Sequence, residues 1–381
     1  MIDLIGGTPL FVFLSVRIPA GVIPSFVLHR VGPDEFEQFL LHLKRNNYRT
    51  LSIGEFYDHV TGRISSTSRK VLITFDDGLR NNWSVVYPLL RKYHARAVFY
   101  VSPGLLHELD APGPGIADRS VGAADLERFE AAHPYISWRE AEEMQRSGLV
   151  DIESHSLRHR MCFVSSRIVD FQHPIRDGQS RYWWLSDTVG KGPDEYLFGA
   201  PVYEHRPRLA ALSYHDDESL RTVCIEYVRE RGGAAFFSSR GWHAGLRTVV
   251  RNYRRAHRLR DGYESNLQQE LAIKNHLEPA QIMISERLGK QCEHFAYPWN
   301  SGGRLSLLWL KELGFKTVFQ AYNTPFFPRT GSDPYSLNRT DGYWISSLPG
   351  FARRTLPRRL GRTARRMLST PSRRTVYNKE T

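Results

Sequence analysis

Val71-Leu72-Ile73-Thr74-Phe75-Asp76-Asp77-Gly78 is the stretch on which the reading of this chain turns. An apolar, β-rich run from Val71 to Phe75 delivers two adjacent carboxylates into a turn closed by Gly78. Val85, Val86, Leu89 and Leu90 follow at helical spacing. A strand that ends in a loop and feeds a helix is the repeating unit of an α/β protein, and such proteins keep their chemistry in the loops after strands. Adjacent residues at a strand end point opposite ways. One carboxylate can therefore hold a metal while its neighbour stays available as a base. The plainer alternative is a turn that needs polar residues and a permissive glycine.

Working outward, Ser25-Phe26-Val27-Leu28 reads as a buried strand with His29 at its end. A helix starts near Pro33-Asp34, with Phe36, Phe39, Leu40 and Leu43 on one face. Tyr48–Leu51 reads as a strand, Ile53–Val60 as a short helix and Ala97–Val101 as a further strand. Residues 103–134 are rich in Pro, Gly and Ala and read as a long surface loop. Ser137 with Glu140 three residues on has the form of a capping box, opening a helix to about Gly148. Leu149–Ile152 is again a strand, and it leads into Glu153-Ser154-His155-Ser156-Leu157-Arg158-His159. Two imidazoles four residues apart can converge on one metal, and two neutral His with one Asp are a common three-ligand set for a catalytic zinc. A lone pair at this spacing also arises by chance on surfaces. Both the Asp pair and the His pair directly follow a strand, which places them on one rim of an α/β core. The strand–helix alternation predicts a mostly parallel sheet or barrel.

From Arg160 to about Glu293 the short rhythm breaks. This region contains Tyr182-Trp183-Trp184, a helix predicted over Glu218–Arg231 and a charged helical stretch from Glu264 to Gly289. It reads as an inserted subdomain whose aromatics pack its own core or stack on a ligand. The rhythm returns at Phe295-Ala296-Tyr297-Pro298-Trp299-Asn300, followed by a helix with Leu305, Leu308, Trp309 and Leu313 and a strand over Phe315–Phe319. Pro298 fixes a turn that can aim a backbone N–H at a developing oxyanion.

Composition sets the outer bounds. At 381 residues with 41% hydrophobic and 12% aromatic content, the chain buries a full core. Its net charge of +12 points to an anionic partner or simply to solubility. Cys162, Cys224 and Cys292 are odd in number and lack Cys-x-x-Cys spacing, which excludes a disulfide framework and a thiolate zinc site. The apolar stretch Leu10–Val16 is too short to span a bilayer and lacks the basic start of an export signal. A short strand is expected at Phe11-Val12-Phe13. The expected location is cytoplasmic. From Phe351 onward the chain is dominated by arginine, with Leu356, Leu360 and Met367 interleaved. This basic tail, 351–381, suits an anionic membrane surface, nucleic acid or a solvated segment.

With the Asp pair, the His pair and Phe-Ala-Tyr-Pro in that order, the chain resembles the polysaccharide deacetylases, metal-dependent carbohydrate esterases of the NodB-homology type. Thr74–Gly78 matches the family's Thr-Phe-Asp-Asp-Gly, and His155–His159 matches its His-Ser/Thr-x-x-His. The resemblance covers about 23–159 and 291–340. It implies an α/β fold, a distorted (β/α)7-type barrel, here formed by 1–159 and 291–345 with a large inserted subdomain over 160–290. By position, Asp77, His155 and His159 would hold a divalent metal, zinc by family habit, and Asp76 would be the general base. The backbone N–H of Trp299 would help stabilise the oxyanion. Two departures stand out. The place where the family often has Arg is Ala296, so Arg339 is the candidate to orient Asp76. The late Leu-x-His that supplies the general acid is also missing. The circularly permuted branch supplies that acid from an N-terminal strand, where this chain has Leu28-His29, so His29 is the candidate acid.

The resulting expectation is a metal-dependent hydrolase that removes an acetyl group, most often N-acetyl, from a sugar in a polysaccharide or glycan precursor. The partner would be an N-acetylated glycan or a lipid- or nucleotide-linked sugar, with peripheral membrane contact through the basic tail and no nucleic acid. Two alternatives remain. One is a metal-dependent hydrolase of a non-sugar amide. The other is a glycan-binding module with a decayed site.

Overall fold

The computed structural model describes residues 18–64, 69–118, 120–175, 181–185, 197–322 and 327–351. The expected strand at Phe11–Phe13, the apolar stretch Leu10–Val16 and all but the first residue of the basic tail lie outside them. In chain order the first elements are β1 (Ser25–Leu28), α1 (Pro33–Arg45), β2 (Arg49–Thr50), α2 (Ile53–Val60), β3 (Lys70–Phe75) and α3 (Tyr87–Tyr93). β4 (Ala97–Val101), α4 (Ala123–Ala132), α5 (Trp138–Arg146) and β5 (Val150–Ser154) follow. Next come β6 (Met161–Phe171), β7 (Pro201–Pro207), β8 (Tyr214–His215), α6 (Glu218–Arg229), α7 (Trp242–Ala256) and β9 (Gly262–Tyr263). The last are α8 (Asn266–Leu288), β10 (His294–Ala296), α9 (Arg304–Glu312), β11 (Thr317–Tyr322) and β12 (Leu337–Asp341). None of the described helices is long and apolar enough to cross a membrane.

Two compact units share the chain. One comprises Met1–His155, Ala280–Ala296 and Phe315–Thr381, the other Ser156–Pro279 and Tyr297–Gly314. In the first, seven parallel strands close on themselves in the order β1-β12-β11-β10-β5-β4-β3, because β1 pairs with both β12 and β3. This is the expected (β/α)7-type barrel, with β2 added beside the first residues of β3. β3 and β4 read as nearly unbroken apolar runs since both faces are covered, β4 being buried throughout. Capping boxes at Ser52/Glu55 and Ser137/Glu140 start α2 and α5. Pro33, acidic Asp34 and Glu35, and basic Lys44 and Arg45 set the ends of α1.

α2 closes one end of the barrel. Its Ile53, Phe56 and Val60 join Leu72, Val98, Tyr100, Phe319 and Leu337 in one buried cluster. It follows β2, which pairs with the start of β3, so this plugged end is opposite the loops that carry Asp76, Asp77 and His155. Residues 103–134 are not simply a loop, as the composition suggested. They contain α4, whose Glu130 is buried and bonded to Arg30 and Ser84. Strand β12 also escaped the sequence reading.

In the second unit, β6 and β7 form an antiparallel hairpin, and β8 pairs with β9. Phe171 and Phe198 pack with Leu220, Cys224 and Val228 of α6 and with Leu246 and Val250 of α7. A buried bidentate pair, Arg208 with Glu264 at 2.8 and 2.6 Å, ties this unit's loops, and Glu264 also accepts from the Ser213 N–H at 2.7 Å.

The β5–β10 seam has a single backbone register pair, Phe295 with Ser154. Glu153 supplements it by accepting the N–H groups of Glu293 and His294 at 3.1 and 3.0 Å while pairing with Lys290. His294 is buried on this seam and bonded through Nδ1 to the Thr317 hydroxyl at 2.8 Å. Burial, reinforced by Lys290 and Lys316, pushes its pKa down to about 3. Between about pH 6.5 and 3 the unfolded chain takes up this proton and the native barrel does not, so His294 makes stability fall as pH falls through that window. Urea unfolding should lose about 2 kcal/mol between pH 6.5 and 5 from this group alone. A His294→Gln variant should show a correspondingly shallower decline over the same interval.

Candidate active site

The barrel's open rim is built from the ends of β1, β3, β5, β10 and β12. Leu72, Thr74 and Asp76 alternate along β3 and its exit, so they share a face. Asp76 is buried, and Arg339 on β12 meets it bidentately, Nη1 to Oδ1 at 2.6 Å and Nη2 to Oδ2 at 2.7 Å. Nη1 also donates to the Thr74 hydroxyl at 2.8 Å, which donates in turn to the Phe26 carbonyl on β1 at 2.9 Å. The guanidinium lies 5.4 Å from the Tyr100 ring centroid and 5.3 Å from that of Phe319, so two aromatic rings pack beside it. Burial pushes the Asp76 carboxyl up. The positive field of Arg339, with smaller contributions from His155 and His29, outweighs it and holds the pKa below the usual carboxylate value. Asp76 is therefore ionised at neutral pH.

Asp77 turns the other way, at φ 74°, and Gly78 follows at φ 72°. Glycine is needed there, because a Cβ would sit 3.1 Å from Val101 Cγ1 on top of the left-handed backbone. His155 leaves the end of β5 with its backbone N–H on the Val101 carbonyl at 2.8 Å. Its Nδ1 lies 2.8 Å from the Ala296 carbonyl. A carbonyl only accepts, so Nδ1 carries a proton, and Nε2, 3.4 Å from Asp77 Oδ1, is the nitrogen left to act as a ligand atom when the imidazole is neutral. Asp77, His155 and His159 each offer one ligand atom, and these atoms all lie within 4.8 Å of one another. Among the described residues this is the one such group of His, Cys, Asp or Glu. One carboxylate and two imidazoles, one with its Nδ1 held by a carbonyl, are a donor set that suits a divalent metal. The residues fit the group.

His29 is exposed at the end of β1, not packed beneath the sheet, and its backbone carbonyl accepts from Asn82 Nδ2 at 3.0 Å. Its effect on the Asp76 pKa places it within electrostatic reach of that carboxylate. Trp299 has left-handed backbone, φ 57° and ψ 16°. Its ring centroid lies 4.7 Å from that of His159 and 5.7 Å from that of Trp184. Ala296 is buried, and it is its carbonyl that enters the site. The sequence reading missed Thr74, Tyr100 and this carbonyl. Thr74 was findable, since it stands two residues before Asp76 and so shares its face.

The polysaccharide deacetylase family profile matches residues 63–202. YxkH of Bacillus subtilis (strain 168), which carries a provisional polysaccharide deacetylase name, is 36% identical over 80 residues, 21% of this chain and 29% of that protein. The poly-beta-1,6-N-acetyl-D-glucosamine N-deacetylase of Escherichia coli (strain K12) is 29% identical over 120 residues, 32% of this chain and 16% of that protein. The chain thus spans under a third of each of these relatives. The solved structure of IcaB from Ammonifex degensii aligns over 89% of this chain and 100% of its own, at 16% identity and a TM-score of 0.49.

The buried pair can be tested directly. Arg339→Met should cost about 3–5 kcal/mol in denaturant unfolding, because it strands a buried carboxylate. Adding Asp76→Asn should restore part of that loss, giving a double variant less destabilised than the sum of the two single changes.

Proposed function

We propose that this chain, whose residues 63–202 match the polysaccharide deacetylase family profile, is a metal-dependent hydrolase that removes an N-linked acetyl group from a sugar of a glycan. The observation that carries the reading is the Asp77–His155–His159 group beside an ionised Asp76 locked by Arg339. Asp77, His155 and His159 are the metal ligands in this reading, and zinc is the ion that one carboxylate and two imidazoles suit best. When bound, such an ion supplies Lewis acidity and a water of lowered pKa.

The chain's own residues supply the proton chemistry. Asp76 accepts the proton of the attacking water, and Arg339 holds it ionised and aimed for that task. The backbone N–H of Trp299, on its left-handed turn, donates to the oxygen that gains charge as the carbonyl carbon becomes tetrahedral. The carbon–nitrogen bond then breaks, His29 gives a proton to the departing nitrogen, and acetate and a free amine leave. Trp299, half-buried with Trp184 packed edge-on against it, offers an apolar face of the kind on which sugar rings stack. The name of the Escherichia coli relative makes a β-1,6-linked N-acetylglucosamine oligomer the first substrate to try. Lipid-linked and nucleotide-linked N-acetyl sugars come next.

The test is metal content and acetate release measured on the same samples. Wild type should hold about one divalent ion per chain, and His155→Ala should lose the ion and about 100-fold or more of the acetate release. Metal without acetate from any N-acetyl sugar would move the reading to a non-sugar amide. No metal under replete conditions would leave a glycan-binding module.

His29 has its own signature. His29→Ala should slow amide hydrolysis by about 100-fold or more, yet leave hydrolysis of an activated aryl acetate nearly unchanged, because that leaving group needs no proton. Equal losses on both substrates would assign His29 another role.

A further inference from the structure

The second unit carries a charge pattern that none of this chemistry uses. From Arg229 to Arg260 the chain has nine arginines and one acidic residue, Glu230. Helix α7 lies at the centre of this stretch. Its Leu246 and Val250 are buried against α6, and Trp242, Val249 and Tyr253 pack on the same cluster. At about 100° per residue, Arg247, Arg251, Arg254 and Arg255 fall within an arc of about 100° on the opposite face. All four are exposed. Among the described residues none of them pairs with a carboxylate. Arg251 donates to the Thr248 hydroxyl at 3.0 Å and Arg254 to the Ser166 carbonyl at 3.1 Å. Other exposed arginines have acidic partners, as in Arg49 with Glu55 and Arg287 with Glu108. A row of unmatched guanidiniums repels itself, so it suits a surface that brings the counter-charge.

A second observation says what that surface is. Tyr263, Leu267 and Leu271 are 58%, 65% and 51% exposed. Leu267 and Leu271 are four residues apart on α8 and so share a face. The Tyr263 hydroxyl donates to the Val164 carbonyl at 3.3 Å, two residues along β6 from the carbonyl that Arg254 uses. The basic helix and the exposed aromatic therefore flank the same stretch of strand.

We propose that the arginine face of α7, together with Tyr263, Leu267 and Leu271, is a peripheral docking surface for an anionic phospholipid bilayer. Guanidiniums pair bidentately with lipid phosphates. A tyrosine and two leucines gain from the headgroup–acyl boundary, whereas a nucleic-acid backbone offers them nothing. A deacetylated glycan is excluded on charge, because each acetyl removed leaves an amine that is cationic at neutral pH. The apolar face of α7 is already occupied by α6, so the helix adsorbs and does not insert. This inference stands independently of the deacetylase reading.

The experiment is co-sedimentation of the full chain with vesicles of equal parts phosphatidylglycerol and phosphatidylcholine, beside pure phosphatidylcholine. Wild type should partition onto the anionic vesicles and come off as salt rises. Arg247→Glu/Arg251→Glu/Arg255→Glu should weaken partitioning by about 30-fold or more, with an unchanged unfolding midpoint, and the matching Arg→Lys triple should keep most of the binding. Leu267→Ser/Leu271→Ser should weaken it several-fold, chiefly at high salt. A charge-reversed triple that binds as wild type does would overturn the proposal and point to arginines elsewhere, such as those over 353–374. So would a wild type that ignores both vesicles but binds an RNA oligonucleotide.

Discussion

A carboxylate that must stay ionised inside a parallel barrel needs a cation beside it, and Arg339 meets that need for Asp76 with two parallel hydrogen bonds. The pair does more than balance charge. It joins β3 to β12, the two strands that flank β1, and Thr74 extends the link to the β1 backbone through the Phe26 carbonyl. The three strands that close the ring are thus pinned by side chains at the depth where the reacting groups begin. Tyr100 and Phe319, whose ring centroids are 5.9 Å apart, pack side by side against the guanidinium, so its orientation is set by packing as well as by charge. A guanidinium held by neighbouring rings and by two parallel hydrogen bonds leaves the carboxylate little freedom to turn.

Much of the barrel was legible because its strands are short apolar runs and its helices carry their own boundary signals. Ser25–Leu28, Ile53–Val60 and Ala97–Val101 are seen as read, and the Ser137/Glu140 box opens α5 as its spacing announced. What escaped notice did so for physical reasons. β12 spells Leu-Asn-Arg-Thr-Asp, a polar string, because at this point the interior of the barrel holds a charge pair where other barrels hold aliphatic side chains. α4 lacks a clear apolar stripe, since its buried contact is Glu130, held by Arg30 and Ser84. The β6–β7 hairpin is interrupted by register shifts, which break the alternation that marks a strand. At the site, the Asp and His pairs were visible as spacing. The Ala296 carbonyl was not, because a main-chain acceptor leaves no trace in side-chain identity.

Local backbone geometry adds a further constraint. Seven non-glycine residues among those described adopt left-handed φ, and Asp77, Ser156, His159, Trp299 and Asn300 are five of them. Each such residue costs on the order of 1–2 kcal/mol relative to ordinary backbone. Three short loops therefore carry most of this strain, and they are the loops that hold the aspartate pair, the histidine pair and the Pro-Trp turn. Sharp reversals let neighbouring side chains diverge, which is how Asp76 and Asp77, consecutive in sequence, come to have different partners.

The closing of the ring by its last strand also sets a timetable. Arg339 lies 263 residues after Asp76. At about 5–20 residues per second, a ribosome takes about 13–50 s to travel from one to the other. Throughout that interval the nascent sheet lacks β12, β1 keeps an open edge, and the aspartate that ends β3 has no cation. Newly made chains are therefore exposed to mispairing for far longer than the elementary steps of folding require, and holdase chaperones have their clearest opportunity before β11 and β12 appear.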